Sequence, residues 1–203
     1  MLRVDHLAVT CADLGAGVAR VERLLGVPMS PGGQHAAMAT HNRLLSLGDT
    51  YLEVIAPDPA APPPGRPRWF RLDDRGAPRL TNWVAACEDI DAVLAGAPEG
   101  AGRPMALQRG DFTWRMAVPD DGRLPFDDCF PALIRWQGTA HPAPRLPDHG
   151  LRLTALHIEH PAAQALSGWL GPRLTDARVT LAPGPAPRLT ATIATPQGAV
   201  VLA

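Results

Sequence analysis

The chain writes one strand-like phrase twice. Residues 3–14 read RVDHLAVTCADL, and from Arg79 the sequence reads RLTNWVAACEDI. Each copy opens on Arg, carries Cys at its ninth place and Asp at its eleventh, and keeps apolar residues at matching places between them. Such repetition limits the fold more than any other feature here, because a repeated supersecondary unit cannot bury its apolar face alone and must pack against its own copies.

Each copy opens a module. In the first, Leu7 and Val9 alternate with His6 and Ala8, the period of a half-buried strand. Asp13 stands where a helix N-cap belongs, Val18, Val21, Leu24 and Leu25 follow at helical spacing, and Gly26 stands at the helix end. PMSPGGQ reads as turn-rich. NRLLSL and YLEVIA, separated by GD, then predict a hairpin. The first 56 residues thus read strand, helix, then two or three strands, the order β-α-β-β-β. Residues 58–78, rich in proline, read as a linker or covering loop, with Trp69 and Phe70 tucking back onto the body. The second copy repeats the order: a strand at 79–86, a helix capped by Asp89 and carrying Ile90, Val93 and Leu94, then strands at MALQ, FTWRMAV and ALIRW. A weaker return follows in RLTALHIEHP, where Pro161 suits a helix's first turn, with AAQALSGWLG and the strands RVTLA, RLTATIA and GAVVLA. The expected organisation is paired modules over 1–137 (1–57 and 79–137, with linker 58–78) and a third, shorter module over 150–203.

Strand alternation assigns faces. Leu7 and Val9 take the side a helix covers, which leaves His6 and Ala8 on the concave side. Leu52 and Val54 likewise face the helix, so Tyr51, Glu53 and Ile55 face the hollow. A carboxylate on an apolar strand is expensive to bury without a partner. A cation or metal would serve Glu53, and so would Arg43 or Arg115. Laying NRLLSLG over TWRMAVP sets Asn42 against Thr113 and Leu44 against Arg115. On that register Arg115 carries a forked donor into the cup, suited to a carboxylate or vicinal dioxygen group, and Trp136 supplies an apolar wall. The structural alternatives are a His6 bonded to backbone, a Glu53 in an ion pair, an Arg115 at the rim and a Trp136 in the core. His157 and His160 in HIEHP point to opposite faces of a strand and form no site together. His35 and His41 lie in or beside a loop-like stretch near the cup mouth.

The phrase DHLAVTCADL, the helix ending in LLG, and HNRLLSLGDTYLEVIAPDP together resemble the vicinal oxygen chelate superfamily, and within it the glyoxalase-like proteins. That resemblance implies an α+β protein whose β-α-β-β-β modules form cup-shaped mixed sheets, in the glyoxalase/bleomycin-resistance/dioxygenase manner. It also implies, for metal-dependent members, a ligand from the first and last strands of each module, and a divalent metal (Zn, Ni, Mn or Fe) that polarises two neighbouring substrate oxygens. On this sequence His6 and Glu53 fall at the first module's ligand places. The second module departs: RLTNWVA sets Asn82 opposite His6, and ALIRW sets Ile134 opposite Glu53.

Composition narrows the function classes. With 203 residues, 46% of them hydrophobic, the chain can bury a full core. A formal net charge of −1 supplies no field for nucleic acid or an anionic membrane. All 19 basic residues are Arg, so lysine Schiff-base chemistry is excluded. Three scattered cysteines without CxxC argue against a disulfide framework or a thiolate zinc site. No elbow motif or glycine-rich phosphate loop is present. The expectation is a cytoplasmic, glyoxalase-like lyase or isomerase acting on a small carbonyl or vicinal-oxygen substrate. His6 and Glu53 would serve as metal ligands or as an acid/base pair, with Asn42, Asn82, Arg115 and Trp136 against the substrate. The rival is a non-catalytic small-molecule-binding or resistance-type protein without metal. Partners expected are a small ligand and a second copy in a homodimer, with no nucleic acid and no membrane.

Overall fold

A computed structural model describes residues 1–203. The first module runs β1 (Arg3–Thr10), α1 (Leu14–Leu25), β2 (Ser30–His35), β3 (Thr40–Ser46) and β4 (Tyr51–Pro57). The carboxylate of Asp13 accepts the Ala16 N–H at 2.7 Å, and Gly26 closes α1 at φ 73°, the left-handed value that glycine adopts without strain. The second runs β5 (Arg79–Ala86), α2 (Ile90–Leu94, capped by Asp89), β6 (Arg103–Arg109), β7 (Phe112–Val118) and β8 (Ala132–Gln137). One expectation fails locally. PMSPGGQ predicts a turn, yet most of it is β2, an edge strand whose pairing with β3 slips between Pro31 and Gln34. Edge position and a bulge are where a sheet tolerates proline and glycine.

The two modules join edge to edge in one eight-stranded sheet, ordered β2-β3-β4-β1-β5-β8-β7-β6. Within each, the first strand pairs in parallel with the last, and β1 meets β5 antiparallel. The sheet curls into a half-barrel until its edge strands β2 and β6 come into contact. Alternate residues feed two cores. Leu7, Val9, Leu52, Val54, Trp83 and Ala85 face the convex cluster with α1 and α2, while Ala8, Ile55, Val84, Ile134, Trp114 and Met116 face the concave one. Each fully buried aliphatic side chain in these clusters contributes roughly 1.5–3 kcal/mol.

Residues 58–78 cover the cup. Trp69, Phe70 and Leu72 pack into the concave cluster, although Phe70 and Arg71 sit at φ 58° and 52°. That strained backbone is held by the Arg71 N–H on Gly122 O at 2.9 Å and by Arg75 on both Phe70 O and Asp128.

The third segment keeps the element order but not the connectivity: β9 (Arg152–His160), α3 (Ala163–Leu170), β10 (Val179–Pro183), β11 (Arg188–Thr195) and β12 (Gly198–Leu202). Here the strand after the helix pairs in parallel with the first, giving the order β10-β9-β11-β12. In the first two modules that strand lies on the outer edge instead. Leu153, Leu156, Ile158, Leu166, Ala191 and Ile193 join the convex cluster, so this sheet backs the half-barrel and leaves the cup mouth alone. No helix is long and apolar enough to cross a membrane.

Candidate functional site

A bulge builds the polar centre. The β1–β5 register shifts between Val4, opposite Ala85, and His6, opposite Val84, so Asp5 has no partner residue. Freed from the alternation, Asp5 joins His6 instead of facing away from it. Its Oδ1 accepts from His6 Nδ1 at 2.6 Å, and its Oδ2 accepts from Trp136 Nε1 at 2.8 Å and His141 Nε2 at 3.2 Å. On the other side of the ring, His6 Nε2 lies 3.5 Å from Glu53 Oε2. Glu53 Oε1 accepts from Asn42 Nδ2, and Asn42 Oδ1 accepts from the Gly33 N–H at 2.7 Å and from Arg109 Nη1 at 3.3 Å. The connected series Trp136–Asp5–His6–Glu53–Asn42–Arg109 thus begins and ends in the second module and passes through the first. Tyr51 stacks on the His6 ring, with centroids 4.4 Å apart and planes at 14°.

Burial alone would discharge these groups, and hydrogen bonding reverses it. Burial pushes His6 down, but the bonds and charges of Asp5 and Glu53 outweigh it and hold the imidazolium up to about 9. Burial pushes Glu53 up, yet the contact and charge of His6, with His35 and Asn42, bring it down to about 2. Asp5, also opposed by burial, is held well below the usual carboxylate range by His141 and His6. The resting centre is therefore a buried cation between two anions. Burial, aided by the charges of Arg109 and His6, outweighs the pull of Glu53 on His35 and pushes it down to about 4, which leaves it neutral. Tyr51 is raised by burial and by the Asp5 and Glu53 charges.

His6, Glu53, Tyr51, His35 and Arg109 form the polar part of a pocket of about 350 Å³ of empty space, its open mouth included. Trp69, Phe70, Trp114, Met116, Ile134 and Trp136 form the rest. A mostly apolar slot with few converging polar groups has the character of a small-molecule site.

The structure brings His6, Glu53, Asn42 and Trp136 into this centre. Two other expected residues lie elsewhere. Arg115 is on the opposite face of β7, paired with the exposed Asp91 at 2.5 and 2.9 Å. The pocket takes Trp114 and Met116 instead, because the overlay with NRLLSLG was three residues off, an odd shift that exchanges the two faces. Asn82 is fully buried but lines no part of the pocket: its Oδ1 accepts from Thr81 Oγ1 at 2.8 Å and its Nδ2 has no acceptor. Glu53's counterpart also changes. Ala8 stands beside Glu53 and opposite Asn82, while Val84 stands beside Ala132 and opposite His6. The pseudo-symmetry therefore sets His6 against Asn82, as expected, but Glu53 against Ala132 rather than Ile134. By the same registers Ile55 answers Ile134, so Asn42 answers Met116. The partners of Glu53 are His6 and Asn42, neither Arg43 nor Arg115. Sequence reasoning missed Asp5, Tyr51's stacking, His141 and Arg109. One signal was available, the glycine pair in SPGGQ: a Cβ at Gly32 would strike Asn42 and one at Gly33 would strike Arg109.

The donors do not fit a divalent ion. Both ring nitrogens of His6 are engaged by carboxylates, one Glu53 oxygen is held by Asn42, and no three His, Cys, Asp or Glu side chains converge in a way that could hold a metal ion. Protein sites for zinc present three or four ligands, and the second module's matching places hold Asn82 and Ala132.

Residues 4–175 match the family model described as a glyoxalase-like domain. No curated protein matches the chain in sequence. Among solved structures, a hypothetical protein from Staphylococcus aureus shares the fold at TM-score 0.66 and 14% identity, covering 93% of this chain and 88% of its own. A methylmalonyl-CoA epimerase from Streptomyces coelicolor, in complex with 2-nitronate-propionyl-CoA, aligns at TM-score 0.44 and 18% identity, over 68% of this chain and 98% of its own. The Mycobacterium tuberculosis methylmalonyl-CoA epimerase aligns at 0.43 and 18%, over 68% and 88%.

Proposed function

We propose that this chain, which belongs to the glyoxalase-like domain family of the vicinal oxygen chelate superfamily, is a proton-transfer enzyme of the lyase or isomerase type acting on a small carbonyl or vicinal-oxygen compound. One observation carries the reading: a cationic imidazole and a carboxylate stand 3.5 Å apart on the polar wall of an otherwise aromatic pocket.

The pair divides the labour of enolisation. Glu53 accepts the proton from the carbon beside the substrate carbonyl, and the C–H electron pair becomes the new C=C bond. The carbonyl π pair moves onto oxygen, where His6 Nε2–H donates to the developing negative charge. Return of the proton to the other face, or to the neighbouring carbon, completes an isomerisation. Asp5 keeps His6 charged and oriented, Tyr51 holds the ring plane, and Asn42 holds the carboxylate's second oxygen. A substrate oxygen entering between Nε2 and Oε2 withdraws part of what keeps Glu53 acidic, which raises its basicity when it is needed. No step uses a metal.

The low resting pKa of Glu53 also favours a second reading, a non-catalytic binder that uses the same slot. Deuterium exchange separates the two. Small ketones and hydroxyketones incubated with the protein in D₂O should lose α-proton NMR signals, and Glu53→Gln should abolish the exchange. Thermal stabilisation by these compounds without exchange would establish the binder. Exchange that EDTA abolishes and Zn²⁺, Ni²⁺, Mn²⁺ or Fe²⁺ restores would return the metal.

A further inference from the structure

Arg109 is the single guanidinium on the pocket wall. It ends β6, the edge strand of the second module, and reaches across the seam to the first. There its Nη1 bonds to Asn42 Oδ1 at 3.3 Å and approaches His35 Nε2 at 3.4 Å. Both contacts are neutral: an amide oxygen, and an imidazole whose Nδ1 is turned to Thr40 Oγ1 at 3.2 Å. Elsewhere Arg68, Arg75, Arg115, Arg145, Arg152 and Arg178 each sit against an aspartate. Arg109 is half-buried with no such partner. A partly desolvated cation facing a cavity has given up hydration without gaining an anion.

The charges facing the pocket sharpen this. His6 lies between Glu53 and Asp5, and Asp5 stands behind the wall with three donors. No carboxylate of this centre touches Arg109, whose guanidinium faces the cavity without an anion in contact. Its stem is fixed, since a Cβ on Gly33 would occupy the space of Arg109 Cδ, and the Phe112 ring lies 5.7 Å from the guanidinium carbon. Nε and Nη2 remain without protein acceptors, enough for a two-point contact with a carboxylate.

We infer that Arg109 receives the carboxylate of the substrate, and that the substrate is a small oxo acid. Its carbonyl lies against His6 and Glu53, and its apolar or aromatic remainder lies between Trp69, Trp114 and Trp136. Arg109 and Glu53 are separated by the single carboxamide of Asn42, a span that a short oxo acid bridges. This assignment rests on the reading that the pocket takes the substrate, and gives it a chemical class.

Matched probes test it. The affinities of 4-oxo-4-phenylbutanoate and 2-oxobutanoate are compared with those of their methyl esters by calorimetry, on wild type, Arg109→Gln and Arg109→Lys, with thermal unfolding of each unliganded variant as the folding control. Wild type should prefer each acid to its ester by roughly ten- to hundredfold, the worth of a charged hydrogen-bonded pair. The preference should collapse in Arg109→Gln and return in part in Arg109→Lys, which keeps the charge but loses the fork. Equal affinity of acid and ester in wild type, failure of both acids to bind, or a preference that survives in Arg109→Gln would overturn the assignment. Deuterium exchange on the same compounds reports separately on proton transfer. An acid preference without exchange keeps Arg109's role and removes the enzyme, and exchange without acid preference does the reverse.

Discussion

At three equivalent places the first module carries His6, Glu53 and Asn42, and the second carries Asn82, Ala132 and Met116. The backbone connectivity of the two halves is the same, and their pocket chemistry is opposite. One buried imidazolium with two carboxylates already leaves the first half's wall with a net charge of −1. A second set on the facing wall would add charges to the same small cavity with nothing to neutralise them. The second half supplies what the first cannot: the indoles of Trp114 and Trp136, a donor to Asp5, and one guanidinium across the seam. Duplication sets the scaffold, and divergence of the copies makes a pocket with one polar wall and one aromatic wall.

The sharpest way to break this asymmetry is to give the second half a carboxylate. Ala132→Glu would place a charge at Glu53's counterpart, where no imidazole waits. The expected destabilisation is about 4 kcal/mol or more, read by urea unfolding, and a near-neutral result would mean the two walls are chemically interchangeable. His6→Ala removes the cation from the first half, leaves Asp5 and Glu53 uncompensated, and should cost about 3–5 kcal/mol. Unfolding across pH dissects the same centre. Because His6 is raised from 6.5 to about 9, its stabilisation is complete below pH 6.5 and is lost as pH climbs through 9. Because Glu53 is lowered from 4.5 to about 2, its share is present above pH 4.5 and is lost as pH falls through 2. His35, lowered from 6.5 to about 4, loses its share as pH falls below 6.5. Wild type should therefore be most stable near pH 6.5, and His6→Ala should lack the alkaline decline. A decline that persists in that variant would place the titrating group elsewhere. The smallest effect is expected from Arg115→Ala, which breaks only an exposed pair with Asp91. It should leave both the melting temperature and the response to oxo acids unchanged, and loss of that response would return Arg115 to the site.

How much of this was legible can be argued from particular residues. The strand faces of His6, Glu53 and Tyr51 follow from period-two alternation in apolar runs, and the two helix starts follow from Asp13 and Asp89. β2 was misread because PGG is turn chemistry almost everywhere except on a bulged edge strand. Arg115 was misplaced because a register out by an odd number of residues, here three, moves a whole strand to its other face.

Repetition, alternation and caps are properties of neighbouring residues, so the letters alone were enough to specify two β-α-β-β-β modules and to aim an imidazole and a carboxylate into one hollow. The tertiary structure alone decided that Asp5 turns in beside His6, that Ala132 rather than Ile134 answers Glu53, and that Arg109 crosses from the far edge to meet Asn42. A bulge exists only relative to its partner strand, and a seam exists only once the sheet has curled. Both depend on pairings between residues far apart in sequence, which local periodicity does not encode.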